Sequence, residues 1–392
     1  MKKSATLKSK DILIKRKLNN LPTYNFGLGE NPFNQPEKLN KIFSQNCNKK
    51  FYNNVDMFPK VKQLIKNKYS VSNYQVENVI LGNGLKEILF ITQMSFDGTI
   101  IQLHPSWVSY NEQTKLLNKK TINYNTKFEN NYKITPEELS SLLQNINDEK
   151  MIIFNSPCNP TGILYSDNEL KEIGKILNKH NCIIFADEIY LELCYQKNNN
   201  TISKYCPDLT IRGTSLSKTF ASGGWRCGWA TFPKNLQNFF DKINIISSSI
   251  YSCITTPLIP VLGYTLENEK EFTLYKNNII NIFKNITFEV YNLLSKNTNL
   301  LIPEPKAAWY LFLDFRNYKE RLNKFNINNS SELSEYLLNQ FGIITVNGDS
   351  FSHDYISLRL SCIDFNPNEN SVISSYSKNM IDGINKLIKF LN

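Results

Sequence analysis

The sequence is poor in the features from which metal centres, disulfide frameworks and membrane spans are built. Its three histidines are too few and too scattered for a convincing zinc site, so no metal is expected. The eight cysteines include no C-x-x-C pair, and several lie in apolar segments, which indicates free thiols in a reducing cytoplasm. No apolar run approaches about 18 residues, so no membrane partner is expected. The Lys-rich first twenty residues also lack the apolar stretch of a secretory signal.

Acidic residues are outnumbered by basic ones, 35 against 45, which gives a formal net charge of +10. An excess of this kind could indicate a nucleic-acid partner. The lysines, however, are spread along the whole chain, and asparagine is abundant as well, a combination typical of AT-rich genomes. Compositional drift is therefore the better explanation, and no nucleic-acid partner is expected. The positive field can still help to attract an anionic cofactor and substrate.

Short apolar runs alternate with helical patterns from about residue 75 onward. Capping boxes predict two of the helix starts, at Thr135 with Glu138 and at Ser166 with Glu169. Strand–helix alternation over this length predicts an α/β fold with a mostly parallel sheet covered by helices on both faces. Ligands of such sheets bind at the carboxyl ends of the strands. The predicted strands are VENVIL, TIIQL, KTINYN, MIIFN, CIIFADE and TIRGTS.

The pattern changes after about residue 270. A long helical stretch there is followed by strand-like WYLFLDF, the helix SELSEYLLNQF, the short runs IITV and YISLRL, and a final helix. This α+β layout predicts a second, smaller domain, which the N-terminal segment is expected to join because chain ends often pack together. The predicted division is a large domain at 34–270 and a small domain made of 1–33 and 271–392.

The segment Ser215–Arg226 follows the strand TIRGTS and therefore lies at a carboxyl end of the sheet. Ser215, Ser217 and Arg226 are suitable phosphate ligands, Arg226 through its fixed fork of donors. Lys218 among them can attack an aldehyde to form a Schiff base if its pKa is depressed. Taken alone, the segment is also compatible with a solvated basic loop beside an ordinary strand.

Two further motifs end neighbouring predicted strands. Asn159, in S-P-C-N-P-T-G, follows MIIFN, and Asp187, in D-E-I-Y, ends CIIFADE. A carboxylate at a buried strand end needs a cationic or hydrogen-bonding partner, which a pyridinium nitrogen would supply. The plainer alternatives are a turn asparagine before proline and a strand-end carboxylate satisfied by the protein itself.

Together these motifs resemble those of the class I/II aminotransferases, enzymes of the pyridoxal-5′-phosphate (PLP) fold type I, over nearly the full chain. The family has S-x-S-K with an arginine eight residues after the lysine, as Arg226 follows Lys218 here. Its N-P-x-G-type turn precedes D-x-x-Y by a fixed spacing, here 28 residues from Asn159 to Asp187. Three motifs in the correct order and at strand ends make this resemblance specific.

The resemblance implies a role for each motif residue. Lys218 would bind PLP as a Schiff base and carry the proton, and Asp187 would pair with the ring nitrogen. Tyr190 and Asn159 would hydrogen-bond the phenolic oxygen of the cofactor. The implied phosphate ligands are Ser215, Ser217 and Arg226, with Gly84 and Leu85 of the turn Gly82–Lys86, where backbone N–H groups open a helix.

Four more residues match family positions. Trp107 matches the aromatic residue that stacks on the cofactor ring. Tyr52, seven residues before Pro59, matches a tyrosine that reaches the phosphate of the other subunit, which implies a homodimer with shared sites. Arg359, in the apolar strand ISLRLS, matches the arginine that grips the substrate α-carboxylate. Gly29 matches a glycine that lets the chain pass close to the substrate.

The sequence Ser4-Ala5-Thr6 resembles an S-x-T of the gamma-type aspartate and prephenate aminotransferases, in which this threonine and a loop lysine bind the distal carboxylate. Lys86 occupies that loop position. The pair predicts aspartate, glutamate and their oxo acids as substrates of a ping-pong aminotransferase. An aminotransferase for aromatic or other bulky amino acids and a PLP lyase of the C–S type remain alternatives. A PLP-sensing transcription regulator is disfavoured because only about 25 residues precede the Gly29 motif.

Overall fold

The computed structural model describes residues 14–392 except 17, 53–57, 72, 198–199 and 368–377. Its centre is a sheet with seven strands among the described residues, in the order β2-β8-β7-β6-β5-β3-β4. Strand β8 runs antiparallel to both of its neighbours, and the remaining pairs are parallel. The mostly parallel sheet is therefore confirmed. The strands are β2 Asn78–Gly82, β3 Thr99–His104, β4 Thr121–Asn125, β5 Lys150–Asn155, β6 Ile183–Asp187, β7 Thr210–Ser215 and β8 Gly228–Phe232.

Helices cover both faces of this sheet. Leu89 and Phe240 pack against one face, and Leu139 and Leu170 pack against the other. Both predicted capping boxes are formed, with Thr135 and Ser166 as the N-cap residues. The helices of this part are α1 Glu37–Asn46, α2 Pro59–Tyr69, α3 Leu85–Ser95, α4 Val108–Leu116, α5 Pro136–Gln144, α6 Asp167–Lys179, α7 Leu216–Thr219, α8 Gln237–Ile250 and α9 Leu258–Glu267.

The C-terminal part has its own core. Strands β9 Tyr310–Asp314, β11 Val346–Asn347 and β12 Ser357–Ser361 form an antiparallel sheet in the order β11-β12-β9. Its helices are α10 Thr273–Asn297, α11 Lys319–Asn323, α12 Ser330–Phe341 and α13 Lys378–Leu391. None of the described helices is long and apolar enough to cross a bilayer.

The N-terminal segment is attached to this C-terminal part. Strand β1 Tyr24–Asn25 pairs in parallel with β10 Ile343–Ile344. Phe26 is fully buried among apolar side chains of the helices and strands that follow residue 285. These contacts support the proposed division into 34–270 and 1–33 with 271–392, whose boundaries stay a prediction.

A buried ion pair joins β7 to the end of β6. Arg212 and Glu188 are both buried, and the Arg212 Nε and Nη2 atoms each lie 2.9 Å from the same Glu188 carboxylate oxygen. The Arg212 guanidinium lies 5.0 Å from the Tyr69 ring centroid and 5.6 Å from that of Tyr74. Because Glu188 directly follows Asp187, the pair fixes the backbone from which the candidate site is built.

The change Glu188→Gln is expected to destabilise the fold by about 3–5 kcal/mol, because it leaves the buried charge of Arg212 without its counterion. Chemical denaturation measures this loss. The control is Glu172→Gln, which breaks an exposed pair with Lys175 and should cost less than about 1 kcal/mol. Equal and small losses would mean that water reaches Arg212.

Candidate active site

The motif residues meet at one edge of the large sheet. Asp187 is the last residue of β6, Lys218 lies in α7 immediately after β7, and Asn159 lies in the turn after β5. Strands β5, β6 and β7 are parallel neighbours, so their carboxyl ends face the same space. The alternation of strands and helices thereby converts three distant sequence motifs into one cluster.

Lys218 is half-buried, and the N-terminal segment lies across it. Its Nζ donates a hydrogen bond to the carbonyl of Gly29, and its own carbonyl accepts one of 2.8 Å from the Asn31 side chain. Ser215 and Ser217 precede it in sequence and are both buried, and the Ser215 Oγ accepts the Ser217 N–H at 3.2 Å. The end of β7 thus carries one amine, which the Gly29 carbonyl holds, and two serine hydroxyls.

Asp187 is a buried carboxylate, for which we predicted a cationic or hydrogen-bonding partner. It accepts a hydrogen bond of 2.7 Å from the Tyr110 hydroxyl and one of 3.2 Å from the Ile189 N–H. No cationic side chain of the described residues forms an ion pair with it, and burial raises its pKa to about 6. Sequence reasoning missed Tyr110, although it lies one helical turn after Trp107 and therefore on the same side of α4.

The turn between β2 and α3 forms a cradle against Arg226. Gly84 has φ +83°, and a Cβ built on it would lie 2.3 Å from the Arg226 Nη2, so only glycine fits. The same nitrogen donates to the Asn83 carbonyl at 2.9 Å. Leu85 begins α3, so the first N–H groups of that helix, those of Leu85 and Lys86, lie next to the guanidinium, whereas the Gly84 N–H is bonded to the Gly82 carbonyl at 2.7 Å. This combination suits a phosphate.

Arg359 on β12 is buried beside Asn159. Its Nη1 donates to the Asn159 side-chain oxygen at 3.2 Å and its Nη2 to the Gly27 carbonyl at 2.8 Å, whereas its buried Nε has no hydrogen-bond partner. No described carboxylate neutralises it, and burial lowers its pKa. A buried guanidinium with an unused donor is suited to an incoming carboxylate.

Lys86, the second residue of α3, lies beside Trp107, with its Nζ 4.9 Å from the indole centroid. Desolvation lowers the pKa of Lys86, and the charges of Arg226 and Lys218 act in the same direction, whereas the nearby carboxylate of Glu112 opposes them. Like Arg359, it forms no ion pair with a described carboxylate. The site therefore contains a second cation available to an anionic group.

The remaining assignments differ in how they relate to this cluster. Tyr190 lies inside it, buried, with its hydroxyl 2.8 Å from the hydroxyl of Tyr310, a residue that sequence reasoning gave no role. Gly29 lies against the same hydroxyl, which a Cβ would approach to 2.7 Å. Tyr52 is 88% exposed and is not brought into the cluster within this chain. Thr6 lies outside the described residues.

A PLP enzyme requires an amine that can bind an aldehyde, a carboxylate that can pair with a cation, and a glycine-containing turn that can bind an anion. Asp187, which is hydrogen-bonded but has no counterion among the described residues, would suit the ring nitrogen of the cofactor, and the Gly84 cradle would suit its phosphate. The class of protein defined here is therefore a PLP-dependent enzyme with an α/β large domain.

Comparison with known proteins makes the assignment more specific. The family model for aminotransferase class I and II matches residues 22–373. A protein of Rickettsia typhi named "Probable aspartate/prephenate aminotransferase" is 31% identical over 84% of each chain. An asparagine–oxo-acid transaminase of Streptococcus mutans is 29% identical over 77% of this chain and 76% of its own. This chain belongs to the class I and II aminotransferases and is a PLP-dependent aminotransferase.

The fold agrees with that family. The aspartate aminotransferase of Thermus thermophilus, solved with maleate, superposes with a TM-score of 0.85 at 21% identity, covering 100% of this chain and 97% of that one. The predicted fold type I architecture is therefore confirmed. The likeness extends over both parts of the molecule, including the C-terminal part that carries Arg359.

Proposed function

We propose that this aminotransferase moves amino groups between dicarboxylic amino acids and 2-oxo acids, with aspartate or glutamate as donor and oxaloacetate or 2-oxoglutarate as acceptor. The observation that carries the proposal is the pair of cations, Arg359 and Lys86, neither of which forms an ion pair with a described carboxylate. A dicarboxylate offers one anion to each of them. The names of the Rickettsia and Thermus proteins, which specify aspartate, point the same way.

The roles of the residues follow from their positions. When bound, PLP supplies an aldehyde carbon for the amino group and a ring that accepts electron density from the substrate. In this proposal Lys218 holds the cofactor and afterwards takes the proton from the substrate Cα. Asp187 keeps the ring nitrogen protonated, and Tyr190 and Asn159 hydrogen-bond the phenolic oxygen. The phosphate is held by Gly84, Leu85, Ser215, Ser217 and Arg226, and Trp107 lies against the ring.

Arg359 orients the substrate by its α-carboxylate, and the same contacts serve both halves of a ping-pong reaction. The amino acid enters, leaves its nitrogen and departs as an oxo acid, after which a second oxo acid takes its place. Because both partners carry the same α-carboxylate, one buried arginine is sufficient for the two of them. Gly29 leaves room at this place, since a side chain there would meet Tyr310.

A homodimer in the cytoplasm is part of the same proposal. Tyr52 is strongly exposed, and the carbonyl of the preceding Phe51 accepts the Thr256 hydroxyl at 3.3 Å near the start of α9. The adjoining face between α1, α2 and α9 is an apolar groove that a second copy of the chain would cover, with Tyr52 reaching the partner's phosphate cradle. All eight cysteines are free thiols, as suits a reducing compartment. The groove residues include Ile42, Phe58, Val61, Ile259 and Pro260.

The test of this function is the absorbance spectrum of the purified protein with PLP, recorded before and after addition of L-aspartate or L-glutamate without an oxo acid. Conversion of the visible band into that of the pyridoxamine form is expected with both amino acids. No change with either, but conversion by phenylalanine or asparagine, would move the substrate class to bulky amino acids or to amides. Release of ammonia, pyruvate and a thiol from an S-substituted cysteine, without conversion by aspartate or glutamate, would indicate a lyase.

Lys86→Met is expected to raise the KM for aspartate and glutamate about 10- to 100-fold, because a charge-assisted contact to the distal carboxylate is lost. Steady-state kinetics with aspartate and with a monocarboxylic amino acid measure the two effects side by side. The monocarboxylic substrate should change little, and Lys86→Arg should preserve most of the preference. Equal losses for both substrates would show that Lys86 serves only the phosphate cradle.

A further inference from the structure

Tyr310 is the first residue of β9 and is completely buried against the candidate site. Its hydroxyl lies 2.8 Å from the hydroxyl of Tyr190, and the two rings are nearly perpendicular with centroids 5.5 Å apart. The contact joins the C-terminal part of the molecule to the turn that follows Asp187. Two phenols at this distance share one hydrogen bond, in which either oxygen can be the donor.

Charged and titratable groups surround this pair on every side. The Arg359 guanidinium lies 4.7 Å from the Tyr310 ring centroid, and the Lys218 Nζ lies 5.8 Å from that of Tyr190. Asp187 faces Tyr190 from the end of β6, and its partner Tyr110 lies behind it. Burial, followed by the contact with Tyr310, raises the pKa of Tyr190 well above its ordinary value, so Tyr190 keeps its hydrogen at neutral pH.

The direction of the hydrogen bond follows from a count of hydrogens. A tyrosine hydroxyl has one hydrogen to donate and lone pairs with which to accept. If Tyr190 donates to the phenolic oxygen of the cofactor, which is an acceptor when ionised, it has no hydrogen left for Tyr310. The 2.8 Å contact then requires Tyr310 to be the donor and Tyr190 the acceptor.

We propose that Tyr310 is a positioning residue that donates to Tyr190 and thereby keeps the single Tyr190 hydrogen directed at the phenolic oxygen of bound PLP. This inference rests on the proposed function through the role given to Tyr190. A hydroxyl that accepts a hydrogen bond becomes a stronger donor. The hydrogen bond from Tyr310 to Tyr190 therefore strengthens the one from Tyr190 to the phenolic oxygen. Gly29 leaves room for the Tyr310 hydroxyl, since a Cβ at that position would lie 2.7 Å from it.

The test is a pH titration of the visible absorbance of the purified holoenzyme. The midpoint of this titration reports the pKa of the Schiff-base nitrogen, which falls when the ionised phenolic oxygen of the cofactor is stabilised. In Tyr310→Phe that oxygen loses part of its stabilisation, so the midpoint is expected to rise by about 0.5 to 1 pH unit. Tyr190→Phe should raise the midpoint further, and the double variant should match Tyr190→Phe because Tyr310 acts only through Tyr190. The matched control is Tyr195→Phe, which removes a partly buried hydroxyl bonded to the Ala308 carbonyl and should leave the midpoint of the absorbance titration unchanged.

An unchanged midpoint in Tyr310→Phe, or additive shifts in the double variant, would overturn the inference. A lowered midpoint would overturn it too, since it would mean that Tyr190 donates to Tyr310 and is withheld from the cofactor. Gly29→Ala provides a second route, because its Cβ displaces the Tyr310 hydroxyl and should raise the midpoint as well. Failure of the wild type to convert aspartate or glutamate would overturn the substrate proposal alone, since the titration needs only bound PLP.

Discussion

Replacing Lys218 by alanine is expected to lower the rate of transamination by about 10⁴-fold or more, because the proposal gives this one amine both the binding of the cofactor and the transfer of the proton. The variant should also lose the visible absorbance of the lysine-bound cofactor while still binding PLP through the phosphate cradle. Borohydride reduction of the wild type, followed by peptide mass mapping, should locate the cofactor on Lys218. Stopped-flow and steady-state assays with aspartate measure the loss of rate.

The matched control for this variant is Lys119→Ala. Lys119 is also partly enclosed, and its Nζ donates to the carbonyls of Met94 and Phe96 at 2.8 and 2.7 Å. It precedes β4 and therefore lies at the opposite, amino-terminal edge of the sheet. Its loss should leave absorbance and turnover intact. Transamination retained by Lys218→Ala, or a cofactor recovered on another lysine, would refute the assignment.

Asp187→Asn is expected to have opposite effects on activity and on the stability of the cofactor-free protein. Turnover should fall at least about 100-fold, because the amide cannot hold a proton on the ring nitrogen by charge. The free energy of unfolding, in contrast, should increase. Burial raises the Asp187 pKa from 3.8 to about 6, so the ionised carboxylate destabilises the folded state at neutral pH.

The sign of this effect can be worked out from proton binding. Between about pH 4 and pH 6 the folded chain binds the Asp187 proton more tightly than the unfolded chain does. Stability therefore falls as the pH rises through this window, by about 3 kcal/mol in total, and stays lower above it. Asparagine cannot ionise, so the variant should be more stable than the wild type at pH 7 and no more stable at pH 4.

Chemical denaturation of both cofactor-free proteins at pH 4, 5, 6 and 7 measures this difference. Asp97→Asn is the control, since Asp97 is an exposed carboxylate whose loss should leave the pH profile of the wild type unchanged. A variant that is less stable than the wild type at pH 7 would show that the hydrogen bond from Tyr110 outweighs the burial of the charge. In both outcomes the affinity for PLP, measured by titration, should fall in Asp187→Asn.

The sequence was sufficient to predict the parallel strands and the residues at their ends. Parallel strands buried on both faces read as short apolar runs, and a motif directly after each run is carried to the same sheet edge. Asp187, Asn159 and Lys218 could be placed together for that reason. Strand β8, with the sequence Gly228–Phe232, was missed because it follows the lysine segment without an intervening helix and runs against its neighbours.

Contacts between segments that are distant along the chain could not be predicted from the sequence. Nothing near Tyr310 indicates that its hydroxyl meets Tyr190, which lies 120 residues earlier. The Asn31 bond to Lys218 depends in the same way on how the N-terminal segment crosses the large domain. Arg359 could be recognised as a candidate site residue because a charge within an apolar strand is costly unless it is paired or hydrogen-bonded. Its partner Asn159, 200 residues away, is visible only in the fold.

The segment that carries Gly27 and Gly29 contacts both Arg359 and Lys218. The Gly27 carbonyl accepts from Arg359, and the Gly29 carbonyl accepts from Lys218. Two residues of backbone span at most about 7 Å, so a displacement at one carbonyl is felt at the other. One contact holds this segment against the C-terminal part through a guanidinium, and the other holds it against the large domain through an amine. The position of one short stretch of backbone therefore sets the width of the space between Arg359 and Lys218.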